Sequence, residues 1–233
     1  MTPSKEDSFL RGMVEMLPLS ISAAPFGLMV GAMAAGAGLG HLDILMMSGL
    51  VYAGASQFTA LGMWESPIPV MAIIGVTLMV NLRLVLMGAA LAPHIGHLPI
   101  YCRWPFVLVF ADETWAIALR RSSERPLAVP YIFGLVIPFY VNWLFWSVLG
   151  VAFGHLVKEP EIYGFDFVFI AVFISLVMGF CKTRRDIPPL LISACVAFLA
   201  HKFLPGVWYI FLGGVAGVIS GALLYQETEK VDA

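Results

Sequence analysis

Eight long apolar runs constrain this chain more than any other feature. They lie at about residues 18–40, 42–64, 67–92, 104–119, 127–157, 163–181, 187–204 and 207–225, separated by Pro, Gly or charged clusters. Runs of roughly 20 apolar residues can cross the hydrocarbon core of a bilayer as helices, and only helices and closed barrels satisfy their backbone there. With 60% hydrophobic and 12% charged residues, the chain has too little polar surface to coat a soluble core of this size. It reads as an all-α, polytopic integral membrane protein of about eight transmembrane helices, with one or two of them open to being broken or re-entrant. Two joints, Gly40-His41 and Glu65-Ser66, are short enough to demand tight hairpins. The fourth run is short and carries acids at its middle. The fifth contains Pro130 and Pro138, where a kink or break is expected.

Residues 1–17 form a leader. Phe9, Leu10, Met13, Val14 and Leu17 share one helical face, with Lys5, Glu6, Asp7, Arg11 and Glu15 elsewhere, the pattern of an amphipathic stretch lying at a membrane surface. Residues 18–226 form a single transmembrane domain and 227–233 a cytoplasmic tail. Lys and Arg gather in cytoplasmic loops. If all eight runs cross and the N-terminus is cytoplasmic, nine basic residues lie inside (Lys5, Arg11, Arg120, Arg121, Arg125, Lys182, Arg184, Arg185 and Lys230). Three (Arg103, Lys158 and Lys202) lie outside. Failure of the fourth run alone to cross would place Lys182 to Arg185 outside.

Small residues repeat every four positions at Ala23, Gly27, Gly31 and Ala35, and again at Gly213, Gly217 and Gly221, a spacing that lets helix backbones approach closely. The three cysteines, Cys102, Cys181 and Cys195, show no CxxC pairing and read as packing residues. His94 and His97 have i,i+3 spacing but no acid near them, so neither a metal nor another cofactor is expected. A net charge of −2 without a basic run gives no sign of nucleic-acid binding.

Polar side chains inside apolar runs are costly and mark the first places to look for function. Three groups qualify: Gly54-Ala55-Ser56-Gln57 with Thr59; Asn81 and Arg83; and Asp112 with Glu113. Arg83 and the acidic pair match in depth, and pairing one acid with Arg83 leaves the other free to bind a cation or carry a proton. Gly54 weakens its helix, and an unwound turn there would expose backbone groups to a substrate. Gln57, Asn81, Arg83, Asp112 and Glu113 are therefore expected to converge on one interior site. The plainer reading is an Arg–acid clamp and a Ser–Gln pair that merely tie helices together. A zwitterion needs an anion site and a cation site close together. Arg83 or a helix N-terminus can take a carboxylate, and Asp112 or Glu113 an ammonium, with Ser56 and Gln57 fixing orientation. An intramembrane hydrolase using Ser56 would need a base within reach, and all five histidines sit in loops or at segment ends. No enzyme is expected; a non-transporting scaffold subunit is the remaining alternative.

At these same residues the chain resembles the AzlC family, the large subunit of branched-chain amino-acid exporters. The resemblance covers about residues 18–120 and rests on Pro25-Phe26-Gly27, Ala53-Gly54-Ala55-Ser56-Gln57-Phe58, Asn81-Leu82-Arg83, Leu91-Ala92-Pro93 and Asp112-Glu113. Two positions depart from the family pattern: Leu84 stands where a His often follows the Asn-Leu-Arg triplet, and Ala111 where a small polar residue or Thr usually precedes the acids. The resemblance implies export of valine, leucine and isoleucine, with methionine a further candidate. It also implies a small AzlD-type membrane partner and a bacterial inner membrane, and leaves open a higher oligomer of the two-subunit unit. Ser56, Gln57, Asn81, Arg83, Asp112 and Glu113 are the expected substrate-binding residues.

Overall fold

The computed structural model describes residues 7–156, 186–204 and 208–231, with scattered positions between 174 and 183; the sixth apolar run lies outside the described residues. The described elements are helices, with no strand among them: α1 (Phe9–Gly36), α2 (His41–Val51), α3 (Gly54–Gly62), α4 (Val70–Ile95), α5 (Ile100–Leu108), α6 (Asp112–Glu124), α7 (Val129–Leu156), α8 (Ile187–Phe203) and α9 (Trp208–Val231). Three are long and apolar enough to cross a membrane: α1, α4 and Val129–Gly154 of α7. The chain forms two compact units, one of Met1–Trp64 with Asn81–Pro160, the other of Glu65–Val80 with Glu161–Ala233.

A glycine seam between α1 and α7 is the spine of the first unit. Gly12 lies against Tyr131 and Leu135, Gly27 against Trp146, Gly31 against Ser147 and Val151, and Gly154 against Ala32 and Ala35. A β-carbon at Gly27 would sit 2.8 Å from Trp146 Cβ, and one at Gly154 would sit 2.7 Å from Ala35 Cβ. Numbers rise together along the seam, so α1 and α7 run parallel. Residues 9–17 are the first turns of α1, which continues past Pro18 and Pro25. The fifth run does not break either: Pro130 falls in the first turn of α7, and Pro138 sits inside the unbroken helix.

The breaks come instead in runs two and four. The first separates α2 from α3 at Tyr52-Ala53, the second α5 from α6 at Val109-Phe110-Ala111. Each broken run doubles back. Ser48 and Gln57, nine residues apart across the first break, are joined by a 2.8 Å hydrogen bond. A chain continuing in one direction would hold their backbones well over 10 Å apart. In the second, α6 runs parallel to α4: Arg83 pairs with Asp112 and, one turn on, Met87 accepts from Trp115. Only Gly96 to Pro99 separate α4 from α5, so α5 must climb back before α6 descends. The His97 ring nitrogen lies 2.8 Å from the Leu127 carbonyl, which brings the loops before α5 and after α6 to the same end.

Direction closes the argument. Arg121, near the end of α6, pairs with Asp7 at 3.4 Å and Glu15 at 3.7 Å, at the start of α1. Parallel α4 and α6 therefore both descend toward the end where α1 and α7 begin. Since α1 ends at the opposite end and α4 starts there, α2–α3 enters and leaves on that side. Runs two and four thus each turn back within the molecule, as hairpins entering from opposite ends.

In the second unit, α8 and α9 pack antiparallel. Gly213 lies against Ala197 and Ser193, Gly217 against Ser193, and Gly221 against Pro189. Ser193 Oγ donates to the Gly213 carbonyl at 2.8 Å. Both small-residue ladders therefore serve packing within the chain.

Candidate functional site

The tips of the two hairpins meet on α4. Ser56 Oγ, in the first turn of α3, donates to Asn81 Oδ1 at 3.0 Å. Arg83 Nη1 lies 2.6 Å from Asp112 Oδ2, at the first residue of α6. Asn81 and Arg83 are two residues apart, about 3 Å along a helix axis, so the two half-helices begin at nearly the same depth. Glu113 makes no ion pair among the described residues, and its carboxyl is within electrostatic reach of Asp112, Arg83 and Tyr52.

The first break is braced by aromatic residues from α7. Tyr52 adopts the left-handed conformation (φ 41°), a costly geometry for a bulky residue that surrounding structure must hold. Its ring packs on Tyr140 with centroids 4.7 Å apart. The turn frees the Gly49 carbonyl from its helical partner, and the Tyr140 hydroxyl donates to it at 2.8 Å. Trp143 covers Gly54 so closely that a β-carbon there would lie 2.8 Å from the ring. Gln57, fully buried, spends its amide on structure. Its nitrogen donates to Ser48, and its oxygen accepts from Trp143 Nε1 at 3.0 Å. The α3 N-terminus has neither a side-chain cap nor an acid in its first turn, which leaves unpaired backbone N–H donors facing the tip.

The second break is organised by charge. Asp112 and Glu113 occupy the first turn of α6, where the helix dipole favours negative groups. Ala111 has no side chain to cap the helix, and Thr114 does so in reverse: its hydroxyl accepts from Ala111 N–H at 2.8 Å and donates to the Ala111 carbonyl. Trp115 Nε1 donates to the Met87 carbonyl at 2.9 Å and fixes α6 along α4. At its other end, Arg121 also lies over the Tyr131 ring, 4.7 Å from the centroid, and Tyr131 donates to Glu15.

Of the sequence-expected residues, Ser56, Asn81, Arg83, Asp112 and Glu113 lie around the meeting point, while Gln57 points away into the Ser48–Trp143 network. Three polar atoms at the tips are buried without a hydrogen-bond partner: Tyr52 Oη, Arg83 Nε and Asp112 Oδ1. Tyr52, Tyr140 and Trp143 are absent from the sequence reading. The Val51-Tyr52-Ala53-Gly54 stretch carried a weak signal for the first, and nothing local could place Tyr140 and Trp143 against it. No cluster of three or more His, Cys, Asp or Glu that could hold a metal ion occurs among the described residues.

The model of the AzlC protein family matches residues 18–157, a span that holds both hairpins and the helices between and beside them. The chain belongs to the AzlC family. Relatives extend over most of its length. The chain is 26% identical to the inner membrane protein YgaZ of Escherichia coli, over 93% of this chain and 89% of that one. It is 27% identical to an uncharacterized membrane protein of Helicobacter pylori, over 95% and 98%. It is 24% identical to another from Archaeoglobus fulgidus, over 78% and 80%. No solved structure matches the chain.

Proposed function

We propose that this AzlC-family membrane protein is the large subunit of an exporter for branched-chain, neutral amino acids, working with a small AzlD-type membrane partner in the bacterial inner membrane. One observation carries the reading. Two half-helices begin at the same depth, and their first turns have opposite electrostatic character. The α3 start is acid-free and presents N–H donors, the standard device for a carboxylate. The α6 start bears Asp112 and Glu113. With Arg83 and Asp112 paired, Glu113 is the uncompensated charge and suits an ammonium. Together these are the two poles of a zwitterion, and α4 holds them together through Asn81 and Arg83. Valine, leucine, isoleucine and methionine share this head and differ only in an apolar tail.

Export is proton-coupled in this reading. Glu113 exchanges a proton for the substrate ammonium, because in a low-dielectric site a second carboxylate beside the Arg83–Asp112 pair needs one or the other. In this reading α1, α4 and α7 cross the membrane and the two hairpins dip in from opposite faces, with both termini cytoplasmic. With run four turning back, Arg103 falls on the same side as Arg120, Arg121 and Arg125. The scaffold alternative draws no support from buried, unpartnered atoms gathered at one depth. The test is flux of labelled leucine from vesicles, with and without the co-expressed small subunit and an imposed pH gradient. Efflux that needs both supports the reading, and no amino-acid flux under any of these conditions refutes it.

A further inference from the structure

Resting on that reading, we propose that Tyr52 is a ligand-contacting residue. Its hydroxyl on the α2–α3 tip and the Glu113 carboxyl on α6 together receive the amino group of the transported amino acid, so that the ligand bridges the two hairpins.

The case starts from an unpaid hydrogen bond. Tyr52 is 9% exposed, yet its hydroxyl has no partner. A buried phenol ordinarily finds one, and leaving it unpaired costs about 1–3 kcal/mol. Packing does not require the hydroxyl, since the contact with Tyr140 is made by the rings. A phenylalanine would brace the turn as well and avoid the cost. Tyr140 is the internal control: its hydroxyl holds the Gly49 carbonyl and has a structural duty. The Tyr52 hydroxyl has none among the described residues.

Chemistry at the opposite tip says what would satisfy it. Asp112 Oδ1 is buried and unpartnered, Asp112 Oδ2 being taken by Arg83. Glu113 has no cation of its own among the described residues and lies within electrostatic reach of Tyr52. The tips therefore offer three acceptor groups: the phenol oxygen, the Glu113 carboxyl and Asp112 Oδ1. A primary ammonium has three N–H donors in a compact head. The carboxylate of the same ligand then faces the start of α3, two residues beyond Tyr52. A bound ligand then ties the α2–α3 tip to the α5–α6 tip.

Tyr52→Phe tests this in the full chain, co-expressed with the small subunit and purified in detergent. Leucine and its deaminated analogue 4-methylpentanoate serve as probes of thermal stability and equilibrium binding. The unliganded variant should melt at or slightly above the wild-type temperature, because it loses no protein hydrogen bond. Its affinity for leucine should fall about tenfold or more, the effect of one hydrogen bond to a charged group. Its preference for leucine over 4-methylpentanoate should shrink with it. Tyr140→Phe should do the reverse, lowering the melting temperature while the folded fraction keeps wild-type affinity. Unchanged leucine affinity and selectivity in Tyr52→Phe would overturn the assignment while leaving the transport reading intact. Failure of every branched-chain amino acid to bind the wild-type protein would refute the transport reading itself.

Discussion

The two hairpins solve one problem by different means. Each must stop a helix inside the molecule and turn it back, leaving backbone groups without helical partners. In α2–α3 the solution is neutral and comes from outside the hairpin: Tyr140 takes a freed carbonyl, and Trp143 covers Gly54 and holds Gln57. In α5–α6 it is ionic and largely local: Thr114 closes the turn, acids sit on the helix dipole, and Arg83 neutralises one of them. The first hairpin is thus built as a rigid wall against α7. The second is tethered by charge at both ends, to Arg83 at its tip and through Arg121 to Asp7 and Glu15 at its base.

Charge removal should separate them most sharply. Arg83→Ala strands Asp112; the pair is only partly buried, its side chains 31% and 19% exposed, so the loss should fall below the cost of about 3–5 kcal/mol for breaking a fully buried pair. Folding or subunit assembly should fail along with transport, as read by size-exclusion yield and thermal unfolding. Asp112→Asn should resemble it, since it strands Arg83. Near-wild-type stability in both would make the pair incidental.

The neutral hairpin should fail sterically instead. Gly54→Leu drives a side chain into Trp143, an overpacking cost of about 1–3 kcal/mol, and the loss should be largely recovered in the Gly54→Leu, Trp143→Ala double variant. Failure of Trp143→Ala to recover any stability would remove Trp143 as the brace. Glu113→Gln is the smallest change in stability, because no partner depends on that charge. It should melt like the wild type yet lose the dependence of leucine efflux on a pH gradient. Retained pH dependence would move the coupling away from the inner tip. The two neighbouring acids, alike on paper, are therefore expected to behave as opposites.

Much of this was readable in the residues. Hydropathy gave the helices, and the cost of buried charge picked out Arg83 with the acids. Gly54 marked a weak point in the second run. Four-residue spacing found both packing seams. The hairpins were harder to see, because a run of about 20 apolar residues looks the same whether it passes through or turns back. The information lies in pairings distant in sequence, such as His97 with Leu127 and Gln57 with Trp143. The partners of Gln57 were hidden for a related reason. Adjacent to Ser56, it points about 100° away on the helix, toward α7 rather than α4.

The opposed hairpins are the centre of the account, and cysteine labelling tests them most directly. Glu65→Cys and Gly96→Cys are introduced separately into a background in which Cys102, Cys181 and Cys195 are replaced by Ser. Intact cells are then treated with a membrane-impermeant maleimide. Both positions are exposed, and a β-carbon at Gly96 meets nothing closer than 3.8 Å. With the N-terminus cytoplasmic, as proposed, two hairpins place position 65 outside and position 96 inside, so Glu65→Cys should label and Gly96→Cys should label only after the cells are opened. The opposite pattern, with Gly96→Cys labelled from outside and Glu65→Cys protected while Ser8→Cys stays protected as a cytoplasmic N-terminus requires, would mean that both runs cross the membrane, and it would contradict the account.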